Sequence, residues 1–422
     1  MPPSFKSLPI VSKICCQCKN EMTKFSRRRA WFPSMETRNL SSSATTSSPQ
    51  RNHIIDLRSD TVTMPSKGML QAAMSAKLGD DVYQEDPTVR ELEEYTADLF
   101  GKEKGLYLPT CSMANLVSIL AHCHTRGSEI LIGASSHISM WEGGGAANLG
   151  GVHTIQIEEN PIDARMDIEK IRDNIKDGID VHWPETKLLC LENTHNMLGG
   201  VALPKEYMDK MGKLAKEEWN IACHVDGARI FNAAVALYGN TDDVASNMSD
   251  LCRHIDSISV CCSKGLGAPL GSVLVGNTEF IHLARRARKR CGGGMRQAGI
   301  VASMGLYALQ QNIARLEEDH FRAKRIGQAL HDNGFYLPRD GRIDTNVVYF
   351  GLPRDHEASD NHQSSSGALA RDEFACKLEE DFGVRLTGGY SKGGKLFRIV
   401  THMDINDDDI DHAIDSMLKL CP

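Results

Sequence analysis

Residues 257–276 read SISVCCSKGLGAPLGSVLVG. Two β-type runs, Ser257–Cys262 and Ser272–Val275, enclose a glycine-flanked turn with a single lysine, Lys264. An unpaired ammonium at a strand end inside an α/β domain is unfavourable, so whatever surrounds Lys264 has to account for it. Working outward, short apolar runs recur: GLYLPT, EILIG, GVHTIQI, TKLLCLEN and IACHVD, most separated by helical stretches such as CSMANLVSILAHC. That alternation predicts an α/β fold with a mostly parallel central sheet covered by helices on both faces. SKGMLQAAMSAKLG and PTVRELEEYTADLFG read as amphipathic helices, the second opening at Pro87 and stopping before Gly101. Beyond about residue 276 a long helical region gives way to the shorter strands TNVVYFGL and KLFRIV, an α+β pattern suited to a smaller domain. DHEASDNHQSSSGAL reads as a surface loop. The expected division is a leader over 1–53, a large α/β domain over 54–300 and a small C-terminal α+β domain over 301–422.

Composition narrows the function classes. The chain is 41% hydrophobic and 24% charged, ordinary values for a soluble globular protein. No apolar run is long enough to span a bilayer. A net charge of −7 gives no electrostatic reason to expect nucleic acid as partner. The charge is uneven, because residues 1–53 hold nine Lys and Arg against two Glu. This basic, serine-rich leader has the composition of a mitochondrial or other organelle transit peptide, or of an untargeted tail on a cytoplasmic protein. Cys15, Cys16 and Cys18 contain a CxxC, but no nearby second pair completes a metal site, so no metal is expected. The other ten cysteines are scattered, several inside apolar runs, as in a reducing compartment.

The strand ends carry the chemistry. In a parallel sheet the C-terminal ends share one edge, and ligands bind there. KLLCLENTHN ends in Glu192, Asn193, Thr194 and His195; IACHVDGAR ends in Asp226 with Arg229 just beyond; SISVCC ends in Ser263 and Lys264. A lysine amine that can form a Schiff base, with a carboxylate to keep a pyridine nitrogen protonated, is what pyridoxal 5'-phosphate requires. Cationic neighbours would lower the Lys264 pKa and free its amine as a nucleophile. The cofactor phosphate needs backbone N–H donors at a helix N-terminus, and LPTCSMANL offers Cys111 and Ser112, with a hydroxyl from Ser263. His137 in SSHISMWEGGG could flank the ring. Each feature has a plainer reading: a solvated loop lysine, an aspartate capping a helix or pairing with Arg229, a Ser-capped helix, a core histidine.

Together, DLRSDTVTMPSKGM, GDDVYQEDPTVRELE, LENTHN, HVDGARIFNA, CCSKGLGAPLGSVLVG and CGGGMRQAGI resemble the low-specificity L-threonine aldolases over about residues 54–420. These are pyridoxal-phosphate enzymes of the aspartate-aminotransferase fold, fold type I. The resemblance implies retro-aldol cleavage of L-threonine, L-allo-threonine and related β-hydroxy-α-amino acids to glycine and an aldehyde. It implies Lys264 as the Schiff-base lysine, Asp226 as partner of the pyridine nitrogen, and His137 as the ring-stacking histidine. His195 resembles the histidine near the substrate β-hydroxyl; the base is His195, His137 or an ordered water. Ser59, Arg229 and Arg398 resemble the clamp on the substrate carboxylate, for which a planar guanidinium fork is suited. Lys289 and Arg296 resemble residues delivered from a neighbouring subunit, implying a homodimer or homotetramer with shared active sites. Two departures stand out: Cys111-Ser112 replaces the common Gly-Thr, and Trp141 stands where Phe or Tyr is frequent. Hydroxymethyl transfer, transamination and racemisation would use the same Lys264 and Asp226, and a cofactor-binding protein without catalysis is the remaining alternative.

Overall fold

The computed structural model describes residues 53–239, 243–353, 371–388 and 396–421. The leader up to residue 52 and the loop expected over 355–369 lie outside the described residues. In chain order the strands are β1 (Ile55–Asp56), β2 (Lys104–Leu108), β3 (Ser128–Gly133), β4 (His153–Ile157), β5 (Glu185–Glu192) and β6 (Ala222–Gly227). β7 (Ser257–Cys261), β8 (Ser272–Gly276), β9 (Val347–Phe350), β10 (Val384–Arg385), β11 (Thr387–Gly388) and β12 (Phe397–Val400) follow.

The expected central sheet is present, seven strands in the order β2-β8-β7-β6-β5-β3-β4. The pairs from β4 through β7 are parallel, whereas β8 runs antiparallel to both β2 and β7. Every residue of β7 and β8 is buried, because helices cover both faces and leave no solvent side for polar alternation. Side chains still alternate between two different interiors. Leu189, Leu191, Cys223, Val225, Ile258 and Val260 join the largest core, while Leu188 and Cys190 join Ile130 and Ile132 on the other side.

The helices form where the periodicity placed them. α1 (Lys67–Ser75) is capped by the Ser66 side chain, and α2 (Pro87–Leu99) by Asp86, with Pro87 at its first position. α3 (Cys111–His122) follows β2 directly and is capped by the Thr110 side chain, which accepts from the Met113 N–H. α4 (His137–Met140) is a single turn after β3. The long helical region expected after residue 276 is three helices, Thr278–Arg290, Gly299–Gln311 and Leu316–Asp332. The first break falls at CGGGMRQA, where Gly292 takes a φ of +80°.

A second core gathers Ile55 and Leu57 with residues between Ala323 and Met417, including Phe350, Phe374 and Phe397 packed ring against ring. β11, β12 and β9 form its antiparallel sheet, and β1 pairs in parallel with β10. The segment after β1 carries the chain from this second core back toward the first. Among the described residues, no helix is long and apolar enough to cross a membrane.

Candidate active site

β5, β6 and β7 are neighbours and end together, with Glu192 in register with Asp226 and Asp226 with Ser259. β2 runs parallel to β7, through the intervening antiparallel β8, so α3 starts at the same sheet edge. The site is assembled from these ends. Lys264 follows β7 and is partly buried; Gly267, three residues on, turns the backbone with a φ of +76°. The Lys264 ammonium enters no hydrogen bond or ion pair among the described residues. It lies within electrostatic reach of Arg229, Cys261, Cys111 and Asp226.

The expected lowering of its pKa does not occur. Burial and Arg229 do push the ammonium downward, but Cys261, Cys111 and Asp226 outweigh them and hold Lys264 above the ordinary lysine value. The cationic neighbour is there; the anionic side of the site is simply stronger.

Asp226 is buried at the end of β6 and held by α3. Cys111, Asn115, Ser118 and His122 recur at helical spacing and form a polar seam on an otherwise apolar helix. Asn115 Nδ2 donates at 2.8 Å to Asp226 Oδ2 and at 2.8 Å to Glu142 Oε1, while its Oδ1 accepts from Ser259 Oγ at 2.6 Å. The Ala228 N–H donates to Asp226 Oδ1 at 3.1 Å. His224, below Asp226 on β6, is driven down to about 4 by burial and stays neutral between Ser118, Ser257 and Asn115.

Two histidines lie within electrostatic reach of this carboxylate, each tied to a glutamate. His137 Nδ1 lies 2.9 Å from Glu142 Oε1, and its backbone N–H donates to Glu192 Oε2 at 2.6 Å. Burial opposes charge on His137, but Glu142 and Asp226 raise its pKa. His195 is almost fully buried, with Nε2 3.0 Å from Glu159 Oε1. An ionised carboxylate only accepts, so Nε2 of His195 carries the proton and Nδ1 holds the lone pair. That Nδ1 is buried without a hydrogen-bond partner. Burial works against the His195 cation, yet Glu192 and Glu159 lift its pKa above the ordinary value. Glu159 also accepts from the Ser135 N–H and hydroxyl.

A buried guanidinium pair, Arg229 and Arg398, meets at Asn196. Arg229 gives two parallel bonds to Asp60, Nε to Oδ2 at 2.7 Å and Nη2 to Oδ1 at 2.6 Å. Its Nη1 donates to Asn196 Oδ1 at 3.3 Å, and Arg398 Nη1 on β12 donates to the same oxygen at 3.2 Å. Arg398 Nη2 donates to the Arg58 carbonyl at 2.9 Å. Ser59 sits beside Asp60, its hydroxyl accepting from the Thr61 N–H. The fork of Arg229 is therefore engaged by Asp60, and only its Nη1 edge faces Arg398.

Lys289 and Arg296 are not brought to this cluster. Lys289 is exposed on the helix Thr278–Arg290, and Arg296, also exposed, pairs with Asp80 at 2.9 Å. Four partners escaped the sequence reading: Glu142, Glu159, Asp60 and Asn115. Asn115 had a signal, since polar residues at helical spacing mark a face of α3. Glu142 lies only five residues past the His137 it holds but follows no periodicity, and Glu159 and Asp60 lie 36 and 169 residues from the groups they hold.

The residues fit a pyridine carrying an aldehyde and a phosphate. The amine is uncommitted, a buried carboxylate stands near it, and the N–H groups of Cys111 and Ser112 open α3 without a hydrogen bond among the described residues. Cys111 is helical, so the site does not need the freedom of glycine there. Ser263 is half-buried beside Cys261, its Oγ 3.4 Å from that sulfur. A metal fits less well. His137, Glu142 and Asp226 offer ligand atoms within 4.8 Å of one another, but the Asn115 amide already donates into the gap between the two carboxylates.

Comparison with known proteins points to one enzyme family. The beta-eliminating lyase family matches residues 56–352. The chain is 41% identical over 375 residues to a probable low-specificity L-threonine aldolase 2 of Arabidopsis thaliana, covering 88% of this chain and 98% of the relative. It is 47% identical over 310 residues to the low specificity L-threonine aldolase of Escherichia coli O157:H7, covering 72% and 87%. The fold superposes on a threonine aldolase of Leishmania major with a TM-score of 0.70 at 16% identity, covering 87% of this chain and 100% of that one. The architecture is the aspartate-aminotransferase-like fold type I. With relatives this similar along most of its length, the chain belongs to the low-specificity L-threonine aldolases of the beta-eliminating lyase family.

Proposed function

We propose that the chain cleaves the Cα–Cβ bond of L-threonine, L-allo-threonine and related β-hydroxy-α-amino acids, giving glycine and an aldehyde, with pyridoxal 5'-phosphate as cofactor. The observation that carries this reading is the uncommitted Lys264 amine within electrostatic reach of Asp226, a carboxylate that also acts on two histidines each bonded to a glutamate. When bound, the cofactor supplies an electron sink for the pair released at Cα. Lys264 would hold its aldehyde carbon, Asp226 its ring nitrogen, and His137 would flank the ring. Cys111, Ser112 and Ser263 would hold its phosphate.

The chain's own groups do the remaining work. Arg398, with Ser59 and the Nη1 edge of Arg229, is positioned for the substrate carboxylate. Glu159 fixes His195 with its Nδ1 lone pair free, which is the atom we assign to accept the β-hydroxyl proton, directly or through a water shared with His137. Lys289 and Arg296 enter this reading as groups that a second copy supplies in a homodimer or homotetramer. We further propose that the second core, with the 301–422 segment, acts as the smaller domain that brings Arg398 to the site. The compartment we assign is the cytoplasm or, through the basic leader, the mitochondrion.

Incubation with L-threonine and L-allo-threonine tests the reaction. Glycine and acetaldehyde are expected in equal amounts, dependent on added cofactor. Glycine without acetaldehyde would overturn the reading.

A second measurement addresses His195. Neutral histidine is the working form, so activity is expected to fall at low pH as Nδ1 becomes protonated. Glu159→Gln removes one of the carboxylates that raise the His195 pKa, so the acid limb of kcat/KM should move to lower pH. The plateau should fall as well, by about 10–100-fold, because the tautomer is no longer fixed. An unchanged acid limb would remove His195 from proton transfer.

A further inference from the structure

Two thiols meet at the start of α3. Ser259 and Cys261 are two apart on β7 and face the same side of the sheet, the side on which Cys111 packs. Cys111 Sγ lies 3.6 Å from Ser259 Oγ and 3.8 Å from Asp226 Oδ1, and Cys261 Sγ lies 3.4 Å from Ser263 Oγ. The two sulfurs also act directly on each other: Cys111 acidifies the Cys261 thiol, with Lys264 adding to the effect, while Cys111 itself is held protonated. Cys262, the next residue, belongs to the large core and is fully buried, its thiol pushed up by burial. Cys111 is partly exposed and Cys261 is buried. The reaction above uses Cys111 only through its N–H and gives Cys261 no part.

A thiolate beside a protonated thiol is the reactant pair for oxidation to a disulfide. We propose that Cys111 and Cys261 form an oxidant-modifiable dithiol site, which a hydroperoxide converts to a disulfide within the phosphate cradle, blocking cofactor uptake. This rests on the cofactor reading given above. The Cys261 thiolate attacks the terminal peroxide oxygen; the O–O bond breaks, and the departing oxygen leaves protonated, as water when the oxidant is hydrogen peroxide. Cys261 is then a sulfenic acid. The Cys111 sulfur attacks that sulfur, the S–O bond breaks, and the hydroxyl leaves as water with the Cys111 proton. The two thiols lose two electrons and one hydroperoxide gains them. The new bond ties the first residue of α3 to the strand beside Ser263, where an N–H and a hydroxyl would otherwise meet the phosphate.

The full chain as purified is treated with hydrogen peroxide, its remaining thiols are alkylated, and the digest is read by mass spectrometry. A peptide pair joined through Cys111 and Cys261 is expected, lighter by two hydrogens than its separate parts, with fragmentation assigning the link to Cys261 rather than Cys262. Cofactor content, read by absorbance, should fall in proportion to the linked fraction, and dithiothreitol should restore both. In Cys111→Ser no link forms, and dimedone should trap the sulfenic acid on Cys261. Free Cys111 after peroxide, a Cys261–Cys262 link in its place, or a Cys111–Cys261 link that leaves cofactor uptake unchanged would each overturn the proposal. The cofactor reading is checked separately before oxidation: absence of a borohydride-fixed pyridoxyl group on Lys264 would fault that reading, while the peptide link would still report on the thiols.

Discussion

Lys264→Ala should lower turnover of L-threonine on the order of 10⁴-fold or more, the range that follows removal of a covalent nucleophile elsewhere. Its effect on stability should be small beside that loss. The wild-type ammonium is partly buried and takes no hydrogen bond among the described residues, and Cys261, Cys111 and Asp226 hold it charged against its desolvation, so the fold gains modestly from it. The apparent Tm of the cofactor-free variant should therefore lie only a few degrees below that of the cofactor-free wild type at pH 7. Borohydride treatment followed by peptide mass mapping should place a pyridoxyl group on residue 264 of the wild type and nowhere in the variant. The combination is diagnostic, because activity lost through general unfolding would bring a large drop in Tm. Turnover within tenfold of wild type would remove Lys264 from the chemistry.

The lysine could be found from sequence because local pattern reports sheet edges well. Apolar runs of five or six residues marked β5, β6 and β7, and the polar residues after each run had to share an edge once the sheet was parallel. The antiparallel course of β8 was not legible, since SVLVG buried on both faces reads the same in either direction. The site's carboxylates were missed for a different reason. Glu159 reaches His195 across 36 residues and Asp60 reaches Arg229 across 169, and no periodicity relates a loop acid to so distant a partner. The wrong sign for Lys264 has another source. Arg229 was visible and argued for a lowered pKa, whereas the acidified Cys261 beside the lysine becomes apparent only once Cys111 is seen packed against it. Arg229 itself was read as free to clamp a substrate because its bidentate partner was out of sight.

That partner sets the second large effect. Asp60 is wholly buried, and burial alone would raise its pKa; Arg229, with Lys264 and Arg398 beyond, instead holds it down to about 2. Against an ordinary aspartate near 3.9, the difference corresponds to roughly 2–3 kcal/mol of folding stability. A depressed folded-state pKa means that this stability is fully present above about pH 4 and is lost as pH falls toward 2. Asp60→Asn removes the carboxylate at every pH and leaves the Arg229 charge buried without its bidentate acceptor, at a cost of roughly 3–5 kcal/mol. Measured at pH 7, the apparent Tm should drop by roughly 5–10 °C, and the part of the acid-induced loss that belongs to Asp60 should disappear from the variant's Tm–pH curve. The same change should reach the substrate. Released from Asp60, Arg229 no longer holds Asn196 in place, and Arg398 shares that Asn196 oxygen. KM for L-threonine should rise about tenfold or more with a smaller change in kcat, because the carboxylate contact is made equally in the ground and transition states. A loss of Tm with KM unchanged would show that Asp60 supports the fold alone, and that Arg398 is held for the substrate by Arg58 and its other neighbours without help from the Arg229 side.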